Sequence, residues 1–189
     1  YQVRYFRRTF EVADPAGSAL TVHLSADSRY VFYCNGACLG RGPAKGDINH
    51  HFYDTYDLTP HLRRGRNVLA VIVLDMSRVA HLPALLGPPC SVMTYTGGFV
   101  LEGEVIDRGG AVLADLQTDA HWRVAVDHGH RFQNENTTFE GYLGYFEHRI
   151  SALVPAGWNT VKFDDSAWPA ALVLFKAERL ENRRDPASP

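Results

Sequence analysis

Residues Tyr30 to Leu74 read YVFYCNGACLGRGPAKGDINHHFYDTYDLTPHLRRGRNVLAVIVL and contain two strand signals around a polar loop. Asn35-Gly36 predicts a tight β-hairpin, because these two residues tolerate the positive φ that the turn needs. Asp57 and Thr59 predict a short capped turn, since such side chains bond to the nearby backbone. The run from Asn67 to Leu74 is strongly apolar from Val68 onward and predicts a strand that is buried on both faces.

Length and charge indicate an ordinary globular chain. Its 189 residues can bury roughly 70% of their unfolded surface. A formal net charge of -2 and mixed charge signs argue against a nucleic-acid partner. The longest apolar run, Val68 to Leu74, is far shorter than the roughly 20 residues of a membrane-spanning helix, so we expect no membrane partner. The chain begins without Met and ends in RRDPASP, which predicts a piece of a larger protein and leaves its compartment unassigned.

The three cysteines fit neither a disulfide framework nor a zinc site. Across the predicted hairpin, Cys34 faces Ala37 and Cys38 faces Tyr33, so the two thiols point to opposite sides of the ribbon. Cys90 lies in a Pro-rich loop and could meet either of them. An odd count without regular spacing nevertheless favours three free thiols.

Short strand signals recur along the rest of the chain. Leu20, Val22 and Leu24 alternate with polar residues, which is typical of a half-buried antiparallel strand. Asp107 to Gly110 has the composition of a hairpin connection. Further strands are predicted at Phe99 to Ile106, Val112 to Thr118 and Trp122 to Val126. The sequence therefore predicts an all-β domain, a two-sheet sandwich, that takes in residues 1–189.

The apolar strand at Val68 to Leu74 needs a cover on each face. One face belongs to the core of the sandwich. The other face requires a long loop of the same chain or a neighbouring domain. We expect the long segment from Met76 to Gly98, which is rich in Leu and Pro, to be that cover.

A second distinctive segment, Gly157 to Ala171, reads GWNTVKFDDSAWPAA. Asp164-Asp165-Ser166 predicts a turn, and Trp158, Phe163 and Trp168 supply apolar anchors around it. Glycosidase carboxylates lie about 5 to 9 Å apart on opposite sides of the scissile bond. Adjacent aspartates cannot straddle a sugar in that way, so we expect this pair to be structural.

These motifs, in their order, resemble the N-terminal β-sandwich domain of bacterial α-L-rhamnosidases and rhamnosidase-like proteins of glycoside hydrolase family 78. The resemblance covers Phe6 to about Arg179. It is carried by ADSRY, NG, GRGPAKGD, YDTYDLT and GRNVLAV, then by TDAHW and WNTVKFDDSAW. FDDSAW also occurs in sugar-binding domains of other glycosidases, so the order of the motifs is the specific part.

The resemblance implies a galactose-binding-domain-like jelly roll and an accessory role. In this family a separate (α/α)6 barrel carries out hydrolysis, with acidic residues as general acid and general base. No catalytic residue is therefore carried over to this chain. The implied partners are the catalytic domain of the parent chain and a carbohydrate, such as a rhamnose-containing glycan.

The loop after the hairpin is the candidate carbohydrate site. Its mixture of donors, acceptors and aromatic planes suits sugar hydroxyls and the C–H face of a pyranose. The candidate residues are Arg41, Lys45, Asp47, Asn49, His51, Tyr53 and Asp54. In the alternative interpretation, the polar groups of a glycine-shaped loop satisfy their own backbone or dock on the next domain.

We predict no organic cofactor. If the loop holds a metal, calcium bound by Asp47, Asp54 and backbone carbonyls is the suitable ion, although acidic residues in such loops more often cap turns. The pairs His50-His51 and His128/His130 lack the spacing of a zinc site.

An enzymatic alternative rests on the segment FEGYLGYFEHR at Phe139 to Arg149. Aromatic neighbours of Glu140 and Glu147 could raise the pKa of these carboxyls by desolvation. Together with the loop from Asp47 to Asp54 they would form the site of a stand-alone carbohydrate-active enzyme. A purely structural module is the third alternative.

Overall fold

The computed structural model describes residues 2–44, 46, 51–75, 97–133 and 146–174. The strands are β1 (Gln2–Val12), β2 (Ser18–Asp27), β3 (Arg29–Cys34), β4 (Ala37–Gly42), β5 (Asp54–Asp57), β6 (Gly65–Asp75), β7 (Gly98–Asp107), β8 (Val112–Asp115), β9 (Arg123–Val126), β10 (His130–Gln133) and β11 (Phe146–Arg149). Short 3-10 turns span Pro15–Gly17, Thr59–His61 and Ser151–Leu153. Within these described residues, no helix has the length and apolar character needed to span a membrane.

Two antiparallel sheets form the sandwich. The five-stranded sheet has the order β4-β3-β6-β1-β9, and the four-stranded sheet has the order β5-β2-β7-β8. A separate ribbon pairs β10 with β11. The predicted all-β, jelly-roll class is confirmed, and β3 and β6 are internal strands as expected. That residues 1–189 make one domain of a larger protein stays a prediction.

The hairpin between β3 and β4 forms as the Asn-Gly pair predicts. Asn35 and Gly36 have φ of 50° and 88°, which suits a turn with positive φ at both positions. Cys34 pairs with Ala37 and is buried, whereas Cys38 is exposed, and both are free thiols. Burial raises the pKa of the Cys34 thiol to about 11. The predicted cysteine geometry is thereby confirmed, while Cys90 lies outside the described residues.

Strand β6 is buried on both faces. Leu69 and Val71 belong to the core between the sheets, and Ala70 belongs to a second apolar cluster on the outward side. The core is filled from both sheets. Its fully buried side chains include Leu20, Val22, Leu24, Phe32, Leu69, Val71, Val105 and Trp122.

The outward side of the five-stranded sheet is covered by residues 151–171, which we call the strap. Trp158 packs on Tyr5 and Tyr33, with ring centroids 4.6 and 5.6 Å apart. Phe163 and Trp168 pack beside it. The described cover is thus the strap. The expected cover is the segment from Met76 to Gly98, and residues 76–96 of that segment lie outside the described residues.

Arg7 fixes the strap to strand β1. Its guanidinium is fully buried and donates from Nε to Asp165 Oδ2 at 2.8 Å. It also donates to the carbonyl oxygens of Trp158, Thr160 (3.1 Å) and Phe163 (3.3 Å). Asp165 therefore has a structural partner, as expected of the Asp-Asp-Ser turn.

Two predicted strand boundaries are wrong by a few residues. Strand β8 ends at Asp115 rather than Thr118, and β9 begins at Arg123 rather than Trp122. The side chain of Asp115 accepts the backbone N–H of Gln117 at 3.0 Å, and this turn interrupts the strand. Asx turns compete with the hydrogen bonds of the sheet, so propensity alone places the end of β8 too late.

Candidate functional site

The structure describes four of the seven predicted carbohydrate-binding residues. These are Arg41, His51, Tyr53 and Asp54. The other three, Lys45, Asp47 and Asn49, lie outside the described residues. Asp47, one of the two predicted calcium ligands, is among these three residues.

Asp54 joins the two sheets. Its carboxylate accepts a hydrogen bond from the hydroxyl of Tyr30. That hydroxyl lies 2.9 Å from the hydroxyl of Tyr56. A β-carbon at Gly42 would lie 2.1 Å from Asp54 Oδ2, and one at Gly40 would lie 2.4 Å from the Tyr56 hydroxyl. Burial, followed by the hydrogen bond to Asp54, raises the pKa of Tyr30. A larger residue at Gly40 or Gly42 would collide with these side chains, so close packing requires glycine at both positions. The carboxylate of Asp54 already has a structural partner.

Arg41 and Tyr53 are not brought together. Gly42 faces the sheet interface, so its neighbour Arg41 faces outward on the five-stranded sheet. There the charge of Arg41 lowers the pKa of Tyr33, although burial raises that pKa on balance. Tyr53 instead lies on the outward side of the four-stranded sheet, where its ring contacts His23. These two candidate residues thus serve opposite outer faces of the sandwich.

An exposed aromatic edge precedes β5. His51 is exposed, and Phe52 and Tyr53 have 50% and 66% of their surface accessible. Ser25 Oγ donates to the carbonyl oxygen of Phe52 at 2.6 Å and fixes this backbone against β2. Exposed rings on a fixed backbone are suited to stacking on a ligand, because little side-chain entropy is lost on binding.

The outward side of the four-stranded sheet, which we call the open face, continues from this edge. Leu20, Val22 and Leu24 point into the core, so Thr21 and His23 between them point outward. Directly opposite residues in neighbouring strands share a face. Register therefore adds a set of polar residues to the open face: Thr55, Asp57, Glu102, Glu104 and Asp115.

A buried carboxylate, Asp127, ties strand β1 to β10. It accepts hydrogen bonds from the hydroxyl of Tyr5, from the backbone of Gly129 (2.6 Å), and pairs with Nδ1 of His130. Burial alone would raise the pKa of Asp127, but these hydrogen bonds outweigh it and lower that pKa. Sequence reasoning missed this cluster. The spacing Asp-His-Gly-His, with an Asx acceptor before glycine, is the only local signal of it.

No metal site appears among the described residues. They contain no group of three or more His, Cys, Asp or Glu side chains positioned to hold a metal ion. His130 uses one ring nitrogen on Asp127. Calcium therefore stays a prediction that concerns the undescribed part of the loop.

The residues of the enzymatic alternative are largely outside the described structure. Glu140 lies in residues 134–145, and Glu147 is described only as a backbone position of β11, opposite Phe132.

Comparison with known proteins gives a family match over most of the chain. Residues 19–188 match the family model described as the alpha-L-rhamnosidase N-terminal domain. No curated protein sequence matches the chain.

Several solved structures share the fold. The GH78 family rhamnosidase of Bacillus sp. GL1 is 29% identical with a TM-score of 0.64, over 89% of this chain and 16% of that one. The α-L-rhamnosidase from Aspergillus terreus is 21% identical with a TM-score of 0.70, over 90% and 19%. A Pleurotus ostreatus lectin is 21% identical with a TM-score of 0.54, over 92% and 36%. The chain thus spans less than one fifth of either rhamnosidase.

Proposed function

This chain belongs to the α-L-rhamnosidase N-terminal domain family, and from that premise we propose that it is the non-catalytic accessory β-sandwich of a larger glycoside hydrolase. The chain corresponds to 16% and 19% of two rhamnosidases, so most of the length of those enzymes lies outside it. The proposed partner is the catalytic domain of the parent chain, against which this domain packs.

The proposal rests on one observation: the buried charged residues of the described structure are engaged in structural hydrogen bonds. Arg7 is held by Asp165 and three strap carbonyls, and Asp127 is held by Tyr5 and His130. The carboxylate of Asp54 accepts a hydrogen bond from the hydroxyl of Tyr30. Glycoside hydrolysis needs two carboxyl groups that face a sugar from opposite sides. Each of these carboxylates instead completes a structural hydrogen-bond network.

Exposed apolar side chains support a packing role. Contiguous apolar side chains that remain accessible on a folded domain mark surfaces of interaction. Such a run follows the strap in the described residues: Leu172, Val173 and Leu174. Leu172 is the most exposed of them, at 81%. The segment that follows the strap is therefore suited to contact the next domain.

Carbohydrate contact is the second part of the proposal. The exposed edge at His51 and Tyr53 supplies rings for stacking, and the remaining loop candidates Arg41, Lys45, Asp47, Asn49 and Asp54 were predicted with them. Each hydrogen bond that a sugar hydroxyl makes to the protein instead of to water contributes only about 1 kcal/mol of binding free energy. A few such bonds and one stacked ring therefore allow only weak binding. We expect dissociation constants of about 0.1 to 1 mM.

The carbohydrate part is tested by titrating rhamnose into the 15N-labelled chain and following amide shifts by NMR. Shifts should centre on Tyr53 and its neighbours and should disappear in the triple variant Asp47→Ala, His51→Ala, Tyr53→Ala. Shifts that persist unchanged in that variant would place the sugar elsewhere. No shifts up to about 20 mM sugar would leave the purely structural module as the better account.

The non-catalytic part is tested in the full-length parent with Glu140→Gln and Glu147→Gln. Loss of a general acid or base costs about 100- to 10,000-fold in rate, so kcat on an aryl α-L-rhamnoside separates the two accounts. We expect each variant to keep kcat within about threefold of the parent value, far inside that range. A loss of kcat of about 100-fold or more, with an unchanged melting temperature, would show that this domain contributes to the active site.

A further inference from the structure

Three hydrogen-bond donor groups on the outward side of the five-stranded sheet have no acceptor among the described residues. Arg41 and Arg149 are exposed, and neither makes an ion pair or a hydrogen bond with any other described residue. The hydroxyl of Tyr33 also has no hydrogen-bond partner there, although its ring packs edge-on against Trp158 at 5.6 Å. Donors that the fold does not use are available to a ligand.

Strand register places Arg41 at one end of a short apolar row. Arg41 lies opposite Val31, and Val31 lies opposite Ile72. Ile72 in turn lies opposite Tyr5. This row crosses β4, β3, β6 and β1 and is about 14 Å long, because neighbouring strands are spaced about 4.8 Å apart. Val31 and Ile72 are half-buried and form a partly accessible floor between the two ends of the row.

Tyr33 stands beside this floor. It lies two residues after Val31 on the same strand, so the two side chains share a face and are about 7 Å apart along the strand. Burial raises the pKa of Tyr33 on balance, although the charges of Arg41 and Arg149 lower it. The hydroxyl therefore keeps its proton and can donate a hydrogen bond.

Arg149 approaches the same surface from the other end of the row. It lies opposite His130 in the β10–β11 ribbon, and the His130 ring is bonded to Asp127, which also accepts the hydroxyl of Tyr5. The strap begins two residues later, at residue 151. Burial raises the pKa of both Tyr5 and Tyr33, and the charge of Arg149 acts on both hydroxyls in the opposite direction. Arg149 is thus near the Tyr5 end, whereas Arg41 is at the β4 end.

The described carboxylates on this side of the sandwich are already engaged. Asp127 is buried and bonded to Tyr5 and His130, and Asp165 is bonded to Arg7. Among the described residues, no Asp or Glu contributes to the pKa of Tyr33, whereas two arginines do. An anionic group placed over the floor would therefore be attracted from both ends.

The chemistry of the donors indicates the class of ligand. A guanidinium group presents parallel N–H donors that match the two oxygens of a carboxylate. The apolar floor suits the C–H groups of a sugar ring. Two half-buried aliphatic side chains offer far less area than the roughly 800 Å² that each partner buries in a stable protein interface, which favours a small ligand over a second domain.

We propose that Arg41, Tyr33 and Arg149 form a binding site for acidic saccharides. The guanidinium groups hold the carboxylate of a uronic acid, and the sugar ring lies over Val31 and Ile72. This site is on the opposite outer face from Tyr53. The inference therefore goes beyond the proposed sugar contact at Tyr53 and does not depend on it.

The test compares methyl α-D-galactopyranosiduronate with methyl α-D-galactopyranoside, which differ only in the group at C6. Each is titrated into the 15N-labelled chain at low salt while amide shifts are followed by NMR, and sodium acetate supplies the carboxylate without the sugar. We expect the uronide to shift residues 31–33, 38–41 and 72. It should bind at least about fivefold more tightly than the neutral glycoside or acetate, and about 0.5 M salt should remove most of this preference.

Variants assign the effect to particular side chains. Arg41→Gln and Arg149→Gln should each weaken uronide binding by at least about fivefold and leave the neutral glycoside unchanged, because each removes one guanidinium. Arg64→Gln is the matched control, since it makes the same change of charge at an exposed arginine just before β6, at the far end of that strand from Ile72. It should bind as the parent does. Tyr33→Phe keeps the ring and should weaken the uronide by about two- to threefold.

Three results would overturn the inference. A uronide that binds no more tightly than the neutral glycoside would remove the role of the arginines. Equal losses in Arg41→Gln and Arg64→Gln would mean attraction to net charge alone. Acetate that binds as tightly as the uronide would reduce the site to an adventitious ion only. Rhamnose shifts centred on Tyr53 test the proposed carbohydrate contact separately, so failure of one proposal leaves the other standing.

Discussion

At the scale of single residues, the buried charges show how the chain is held together. Arg7 sits in the middle of a strand with no accessible surface, and its guanidinium is 5.0 Å from the centroid of the Phe163 ring. Removing one partner of such a pair leaves the other charge buried without compensation. Arg7 is therefore the polar anchor of the strap, beside its aromatic contacts.

Arg7→Ala is expected to lower the free energy of unfolding by about 3 to 5 kcal/mol, because Asp165 and three carbonyl groups lose their donor. Arg4→Ala on the same strand is the matched control. Arg4 lies 3.7 Å from Asp75 with 32% of its side chain exposed, a longer and better solvated contact than that of Arg7, so its loss should cost clearly less than the loss of Arg7. Urea denaturation measures both values. Equal costs for the two variants would contradict the role given to Arg7.

Asp127 should make the domain less stable in acid. Its pKa in the folded state lies below the unfolded value, so its contribution is fully present above about pH 4 and is lost as the pH falls through the folded pKa. The free energy of unfolding of the parent should therefore fall more steeply than that of Asp127→Asn between about pH 5 and pH 2. Urea titrations across this range test the difference, and parallel curves would rule out a stabilising Asp127 carboxylate.

Some of these residues could be predicted from the sequence and others could not. Asn35-Gly36 and the Asp57–Thr59 cap are local, because the chemistry that decides them lies within a few positions. Arg7 lies in the motif RYFRRTF, and nothing near it in the sequence marks it as buried. Its partners are more than 150 positions away in the chain, so no local pattern could identify them.

At the scale of elements, the strap decides whether the outward side of the five-stranded sheet is buried. Trp158→Ala removes the ring that packs on Tyr5 and Tyr33 and should cost about 3 to 5 kcal/mol of folding stability. Leu172→Ala lies just beyond the strap at an exposed position and should change stability by less than about 0.5 kcal/mol. Thermal unfolding with a dye that reports apolar surface checks both. A small effect of Trp158→Ala would mean that the strap is not the cover.

The contact between β4 and β5 makes a second prediction at this scale. In Gly42→Ala the new methyl group would collide with Asp54 and Tyr30, so we expect a loss of about 1 to 3 kcal/mol. Gly109→Ala is the control in the β7–β8 hairpin, where the new carbon meets Asp107 at 3.2 Å, and it should cost less than about 1 kcal/mol. Denaturant midpoints compare the two. A neutral Gly42→Ala would show that the sheets are not packed this closely.

Sequence patterns predict which segments form strands better than they predict how the strands are placed in the two sheets. The alternation in β2 and the apolar run in β6 predicted strands correctly, since side-chain period follows directly from strand geometry. The candidate loop was treated as one surface because its residues are close in the sequence. Arg41 lies in β4 of one sheet and Tyr53 lies just before β5 of the other, so only the arrangement of the sheets separates them onto opposite faces.

At the scale of the whole molecule, the described residues cover the two outer faces of the sandwich to different extents. Among the described residues, the strap packs on the outward side of the five-stranded sheet, and the four-stranded sheet presents exposed polar residues and an aromatic edge. Exposed apolar residues after the strap suit contact with a neighbouring domain. This division of surfaces suits the accessory role that we propose, in which one part of the domain packs on its parent.

The most direct test of the accessory role is whether the isolated chain hydrolyses a glycoside. The purified 189-residue chain is incubated with 4-nitrophenyl α-L-rhamnopyranoside, and nitrophenol release is followed by absorbance. We predict release at the rate of the buffer alone, with the fold intact by circular dichroism. Turnover above that rate that disappears in Glu140→Gln or Glu147→Gln would contradict the account and make this chain an enzyme in its own right.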